Sequence, residues 1–177
     1  MSSSVFAIPS SPVESQVLIA LFDWARFTAF SRARSSREVF EALDEFYRLS
    51  ENVIHPRGGR ILKYLGDAGL AVFPEVRVDD GVAALHELKE TVDAWLREKR
   101  YDSSLHVNCH FGEVTLGPIG GPEARSLDAM GENINLCFTM ERRGFQVTPQ
   151  VFRKLGSDAR KRFHKYTPPI VYRAERA

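Results

Sequence analysis

Two aspartates stand where short apolar runs end. In LFDWARFT, Asp23 follows QVLIALF, residues 16–22, an apolar run of buried-strand length. In RILKYLGDAGLAVF, residues 60–73, Asp67 follows Gly66 between flanks rich in β-branched and aromatic residues, the composition of a hairpin closed by a Gly-Asp turn. By itself Asp67 also reads as a turn residue satisfied by backbone N–H groups. Two carboxylates meeting at a sheet edge are different, because they repel. A divalent cation such as Mg²⁺ or Mn²⁺, which takes hard oxygen ligands, relieves that repulsion, and substrate phosphates would complete its coordination. The pairing requires the two strands to be neighbours, which spacing alone leaves open.

The elements that must hold these residues follow from periodicity. Ser35-Ser36-Arg37-Glu38 offers a capping box, and Val39, Phe40, Leu43, Phe46, Tyr47, Leu49, Val53 and Ile54 recur at helical spacing until His55-Pro56 and Gly58-Gly59 end the helix. The hairpin comes next. Asp80 is placed to cap a second helix carrying Val82, Leu85, Leu88, Val92, Trp95 and Leu96, which fades into the charged run REKRYDSS. LHVNCHFGEVTLGPIG, residues 105–120, alternates as a strand and then turns on glycines. GPEARS reads as a loop, 126–130 as a short strand or turn, GENINLCFTMERR and TPQVFRKL as helices, and PPIVYRAER as a last strand. The order, βαββαββαβ or close to it, predicts an α+β domain with helices packed on one antiparallel-rich sheet. Residues 1–15, Ser- and Pro-rich, read as a flexible tail before a domain at 16–177.

Composition narrows the partners. The 177 residues match one domain, and 44% hydrophobic content suffices for a core. Lys and Arg number 24 against 23 Asp and Glu, so the charge gives no argument for nucleic acid or an anionic membrane, and an anionic ligand must be held by local groups. Cys109 and Cys137 have no CxxC spacing and read as buried thiols in a reducing, cytoplasmic setting. No signal peptide and no apolar run near ~20 residues is apparent, so no membrane span is expected.

VLIALFDWARFTAF, GGRILKYLGDAGLAVF, HFGEVTLGPIG and LDAMGENINL, in that order, resemble the catalytic domain of the class III nucleotidyl cyclases over roughly residues 16–173. The FT turn after an Asp, the K-x-x-G-D hairpin, the H-x-G-x-x-x-x-G strand and the G-x-x-x-N helix start carry the resemblance jointly. It implies a ferredoxin-like cyclase homology domain, active as a homodimer with clefts at the interface. It also implies cyclisation of a nucleoside triphosphate to a 3′,5′-cyclic nucleotide with release of pyrophosphate.

Carried over residue by residue, the resemblance makes Asp23 and Asp67 ligands of two divalent ions, Mn²⁺ or Mg²⁺. One ion would help deprotonate the ribose 3′-hydroxyl and the other would hold the triphosphate. The backbone N–H groups of Trp24, Ala25, Arg26, Phe27 and Thr28 would cradle phosphate oxygens. Asn135 would orient the ribose as a catalytic residue. Lys165 falls near the family's phosphate-binding lysine, with the spacing short by a couple of residues. Lys63 and Asp128 match the pair that reads adenine, a cation facing a ring acceptor and a carboxylate facing an exocyclic amine. Cytosine shows a similar edge, and uracil can donate its N3–H to the carboxylate and accept from the lysine through O4.

The departures matter as much. Where the family carries an arginine four residues after the asparagine, this chain has Thr139, and Arg26, Arg142, Arg143 and Lys165 are candidate substitutes for its charge. That gap, the bulky Trp24 and Phe138, and the bare domain resemble the pyrimidine cyclases of the Pycsar antiphage systems. The expectation is therefore a pyrimidine cyclase making cyclic UMP or cyclic CMP for a separate cyclic-nucleotide-sensing effector. An adenylate cyclase, and an inactive cyclase-like module that binds nucleotide or dimerises with a true cyclase, are the alternatives.

Overall fold

Side-chain alternation along two long central strands divides the molecule into a thickly covered face and a thinly covered one. The computed structural model describes residues 9–167 and 169–174. Strand β1 (Val13–Trp24) leads through the short helix α1 (Phe27–Arg32) to α2 (Ser36–Ile54), then to the hairpin of β2 (Arg60–Leu65) and β3 (Ala68–Pro74). Helix α3 (Val78–Glu98) returns the chain to β4 (Leu105–Ile119), followed by β5 (Ser126–Met130) and α4 (Glu132–Thr139). The last stretch holds β6 (Phe145–Val147), α5 (Pro149–Lys154), α6 (Ser157–Arg160), β7 (Phe163–Tyr166) and β8 (Val171–Ala174). Pairing runs β2-β3-β1-β4-β6-β8-β7, with β5 added to β4. All pairs are antiparallel except β4 with β6.

This is the expected α+β architecture. Leu18, Ala20, Phe22 and Trp24 of β1 join Phe46 of α2, Leu85 and Leu88 of α3 and Val151 of α5 in the larger core. Val17, Ile19 and Leu21 point the other way, to a smaller cluster with Val114, Leu116, Ile134 and Cys137. That second face is covered by α4 and carries Asp23, the next residue of the same alternation.

Local chemistry explains the boundaries, and corrects some. The Ser35 hydroxyl accepts from the Glu38 amide while the Glu38 carboxylate accepts from the Ser35 amide at 2.8 Å, the capping box expected. Asp80 does not cap α3: that helix starts at Val78, and Asp80 lies in its first turn, 3.4 Å from the Arg77 guanidinium. Helix α4 stops at Thr139 rather than Arg143, because Met140 turns extended. The first strand begins at Val13, so the expected tail boundary at residue 15 falls inside β1, and residues 1–8 lie outside the described residues. Cys109 and Cys137 are both buried free thiols, as expected.

Candidate active site

Hairpin geometry joins the two aspartates. Gly66 takes φ 66° in the two-residue turn between β2 and β3, a left-handed conformation that glycine adopts without Cβ strain. Asp23 lies in register with Ala68, and the Trp24 amide donates to the Asp67 carbonyl at 2.9 Å, so the end of β1 is laced to the hairpin tip. Burial raises the Asp23 pKa, Arg142 opposes that rise, and the neighbouring Asp67 charge adds to it. The repulsion expected of paired carboxylates is thus present. A cation already sits against it: the Arg142 guanidinium lies 2.7 Å from the Asp23 carboxylate, whose side chain is 8% exposed. Among the described residues no three His, Cys, Asp or Glu side chains form a ready-made cage. The donor set fits a hard divalent ion whose other ligands come from phosphate and water.

The turn after Asp23 is narrower as a phosphate cradle than expected. The Trp24 amide is spent on Asp67, and the Ala25 amide donates to the Ser104 carbonyl at 2.9 Å. This leaves the amides of Arg26, Phe27 and Thr28 at the start of α1. Arg26 holds φ 57°, and its side chain turns away to Asp102 at 2.6 Å. Trp24 itself is 0% exposed, with ring centroids 4.6 Å from Phe30, 5.3 Å from Trp95 and 5.9 Å from Tyr101. Trp24 is therefore no bulky wall beside the carboxylates, and that part of the likeness to the pyrimidine cyclases falls away. Strand alternation sends its indole into the helix-side core, opposite Asp23.

Lys63 and Asp128, 65 residues apart, meet at 2.6 Å in a partly buried ion pair. The other Asp128 oxygen accepts the Ala129 amide at 2.8 Å, which fixes the carboxylate's plane. Asn135 is exposed on α4. Thr139 donates its hydroxyl to the Leu136 carbonyl at 3.0 Å and brings no charge to the cleft. Lys165 pairs in register with Tyr172, whose ring stacks on Phe152 at 3.7 Å within the helix-side core. Alternation consequently puts Lys165 on the side away from Asp23, and brings His164 and Tyr166 to the Asp23 side, beneath Arg173. Arg143 is held by Glu141 at 2.8 Å, so Arg142 is the arginine of that loop that touches the carboxylate site.

Sequence reasoning missed two histidines near the site. His106, in register with Asp23, has a buried Nδ1 without a hydrogen-bond partner, and its pKa is lowered by burial and by Lys89 and Arg142. His110 is 3% exposed and contacts Asn133 of α4 and Thr148. The His110 and Gly112 of the H-x-G motif were the available signal. A methyl group at Gly112 would overlap the Asn133 carboxamide, so the glycine admits that side chain against β4.

No protein-family model matches the chain. Among curated proteins, an adenylate cyclase of Anabaena cylindrica is 24% identical over 134 residues, which cover 71% of this chain and 27% of the relative. The chain thus spans about a quarter of that relative's length. Among solved structures, the adenylyl cyclase CyaB from P. aeruginosa superposes with a TM-score of 0.80 at 12% identity, over 94% of this chain and 96% of that one. The guanylate cyclase domain of RhGC from Catenaria anguillulae, solved with GTP, gives 0.76 at 15% identity, over 93% and 100%. The fold is that of the class III nucleotidyl cyclase catalytic domain, and the chain's sequence relatives are cyclases as well.

Proposed function

We propose that this domain converts a nucleoside triphosphate to a 3′,5′-cyclic nucleotide and pyrophosphate, working as a homodimer. The observation that carries the reading is the convergence of Asp23 and Asp67 at a laced hairpin, with a cation against Asp23 and the amides of Arg26, Phe27 and Thr28 at the start of α1 beside them. Asp23 and Asp67 would hold the divalent ions. Bound there, Mn²⁺ or Mg²⁺ supplies charge neutralisation on the phosphates and favours the ionised ribose 3′-hydroxyl. The amides of Arg26, Phe27 and Thr28 orient phosphate oxygens, Asn135 holds the ribose, and Arg142 is the side chain best placed to replace the charge absent at Thr139. The 3′-oxygen attacks the α-phosphorus as the bond to the β-phosphate oxygen breaks. Apolar Leu136 (40% exposed) and Phe138 (36%) on the outward side of α4 supply a surface for the second protomer. No described helix is long and apolar enough to cross a membrane.

Lys63 and Asp128 form a reader for a base edge that sets a ring acceptor beside an exocyclic amine, which adenine and cytosine both carry. The narrower pyrimidine reading, cyclic UMP or cyclic CMP for an antiphage effector, keeps Phe138 and Thr139 as support but loses Trp24. The relatives' names, adenylate and guanylate cyclase, weigh toward a purine. Incubation with Mn²⁺ and each of ATP, GTP, CTP and UTP, followed by product identification, decides. A lead of about 10-fold in kcat/KM for CTP or UTP establishes the pyrimidine reading, and ATP as best substrate ends it. No cyclic product from any of the four, with metal bound, would overturn the cyclase reading and leave the nucleotide-binding module.

A further inference from the structure

Helix α4, which carries Asn135, is only eight residues long. Its N-cap, Gly131, offers no side-chain cap, and it buries just Ile134 and Cys137. A helix this short does not hold its own orientation in water. What ties its first turn is Asn133, two residues before Asn135. Its Nδ2 donates to the Glu113 carbonyl at 2.8 Å, which assigns the amide orientation and turns Oδ1 toward the His110 Nε2 at 2.8 Å. A carbonyl oxygen accepts, so Nε2 carries the proton. His110 Nδ1 is then the acceptor for the Thr148 hydroxyl at 3.0 Å. Thr148 is the N-cap of α5, a position where a threonine ordinarily caps, yet its side chain makes no cap hydrogen bond. That forgoes the stabilisation a side-chain cap ordinarily gives a helix. Burial depresses the His110 pKa, in keeping with a neutral ring.

We propose that His110, fixed as the neutral Nε2–H tautomer by the Asn133 Oδ1 that accepts from it, is a positioning residue that sets α4 against β4 and thereby places Asn135 at the cleft. The role in turnover rests on the cyclase reading above. The tether runs from the α5 N-cap through the buried imidazole to Asn133, and Gly112 leaves the space that Asn133 fills. Asn133 is thus distinct in role from Asn135: one holds the helix, and the other faces substrate.

The test compares His110→Gln, whose side-chain amide reaches as Nε2 does and can donate to Asn133, with His110→Asn and His110→Phe, which cannot. In the full-length chain kcat should fall about 10- to 100-fold in the Asn and Phe variants, with KM within about twofold, and recover in the Gln variant. Amide hydrogen exchange across α4 should speed up in the same two variants and not in His110→Gln. Nitrogen NMR of the wild-type protein should show the Nε2–H tautomer. Equal kcat losses in all three variants, unchanged α4 exchange, or an Nδ1–H tautomer would overturn the proposal. Should His110→Phe fail to fold, Asn133→Ala at the surface end of the tether must give the same kcat loss and exchange. A wild-type chain that cyclises no triphosphate counts against the cyclase reading, whereas the tautomer and exchange data judge the tether independently.

Discussion

The two faces of the sheet are built on opposite terms. On the helix side, Leu18, Phe22 and Trp24 are all 0% exposed beneath α2, α3 and α5, and Trp24 alone lies against five aromatic rings. On the other side the same strand presents Val17, Ile19, Leu21 and then Asp23 to a small cluster roofed by one short helix. That thin side also gathers the polar groups: Lys63 with Asp128, Arg142 on Asp23, and His110 with Asn133. One face secures the fold with buried apolar area. The other is left open and charged, and it is the side on which the proposed substrate and second protomer would bind.

Substitutions can break that division. The largest effect is expected at the carboxylates. Asp67→Ala or Asp23→Ala should lower Mn²⁺-dependent turnover by about 10³-fold or more with the melting temperature nearly unchanged, measured by product assay and calorimetry. Mixing Asp67→Ala with Asn135→Ala should restore part of the activity, since one cleft of the mixed dimer carries no lesion; no recovery after demonstrated subunit exchange would refute shared clefts. On the helix side, Trp24→Ala should cost about 3–5 kcal/mol in chemical denaturation, against less than about 0.5 kcal/mol for Phe138→Ala in the monomer. Next comes Arg142→Ala, which should tighten Mn²⁺ binding several-fold, about 3- to 10-fold by electron paramagnetic resonance without nucleotide, because the competing cation is gone. The smallest effect is on pH. The folded-state pKa of His110 is depressed below 6.5, so below pH 6.5 the unfolded chain binds a proton that the folded one does not. Stability should therefore be flat above that pH and fall as pH drops toward the folded pKa, with a slope of at most about 1.4 kcal/mol per pH unit that His110→Gln removes.

Much of this was legible in residue order. Asp23 and Asp67 declared themselves at the ends of apolar runs, Lys63 and Asp128 only through the resemblance to the cyclases, and the structure brings each pair together. The direction of a side chain was harder to read. Trp24 and Lys165 sit next to residues on the cleft side, and a shift of one position on a strand reverses the face. Strand β6, three residues long, left no periodic signal, and β7 lay hidden in the basic run RKRFHK. The His110 tether could not be read because it depends on a glycine's missing side chain across two elements. The Arg142 pairing depends on the irregular segment after α4, where no repeat constrains direction.

The two cysteines divide between the faces: Cys109 lies in the helix-side core, Cys137 in the cluster under α4. The sheet separates them, and burial drives both thiols away from ionisation, Cys137 to about 12. Neither reacts with an alkylating reagent until its own side of the protein opens. Pulsed thiol alkylation followed by mass spectrometry thus gives each face its own clock. Modification of Cys137 reports the lifting of α4, and modification of Cys109 reports the loss of the main core.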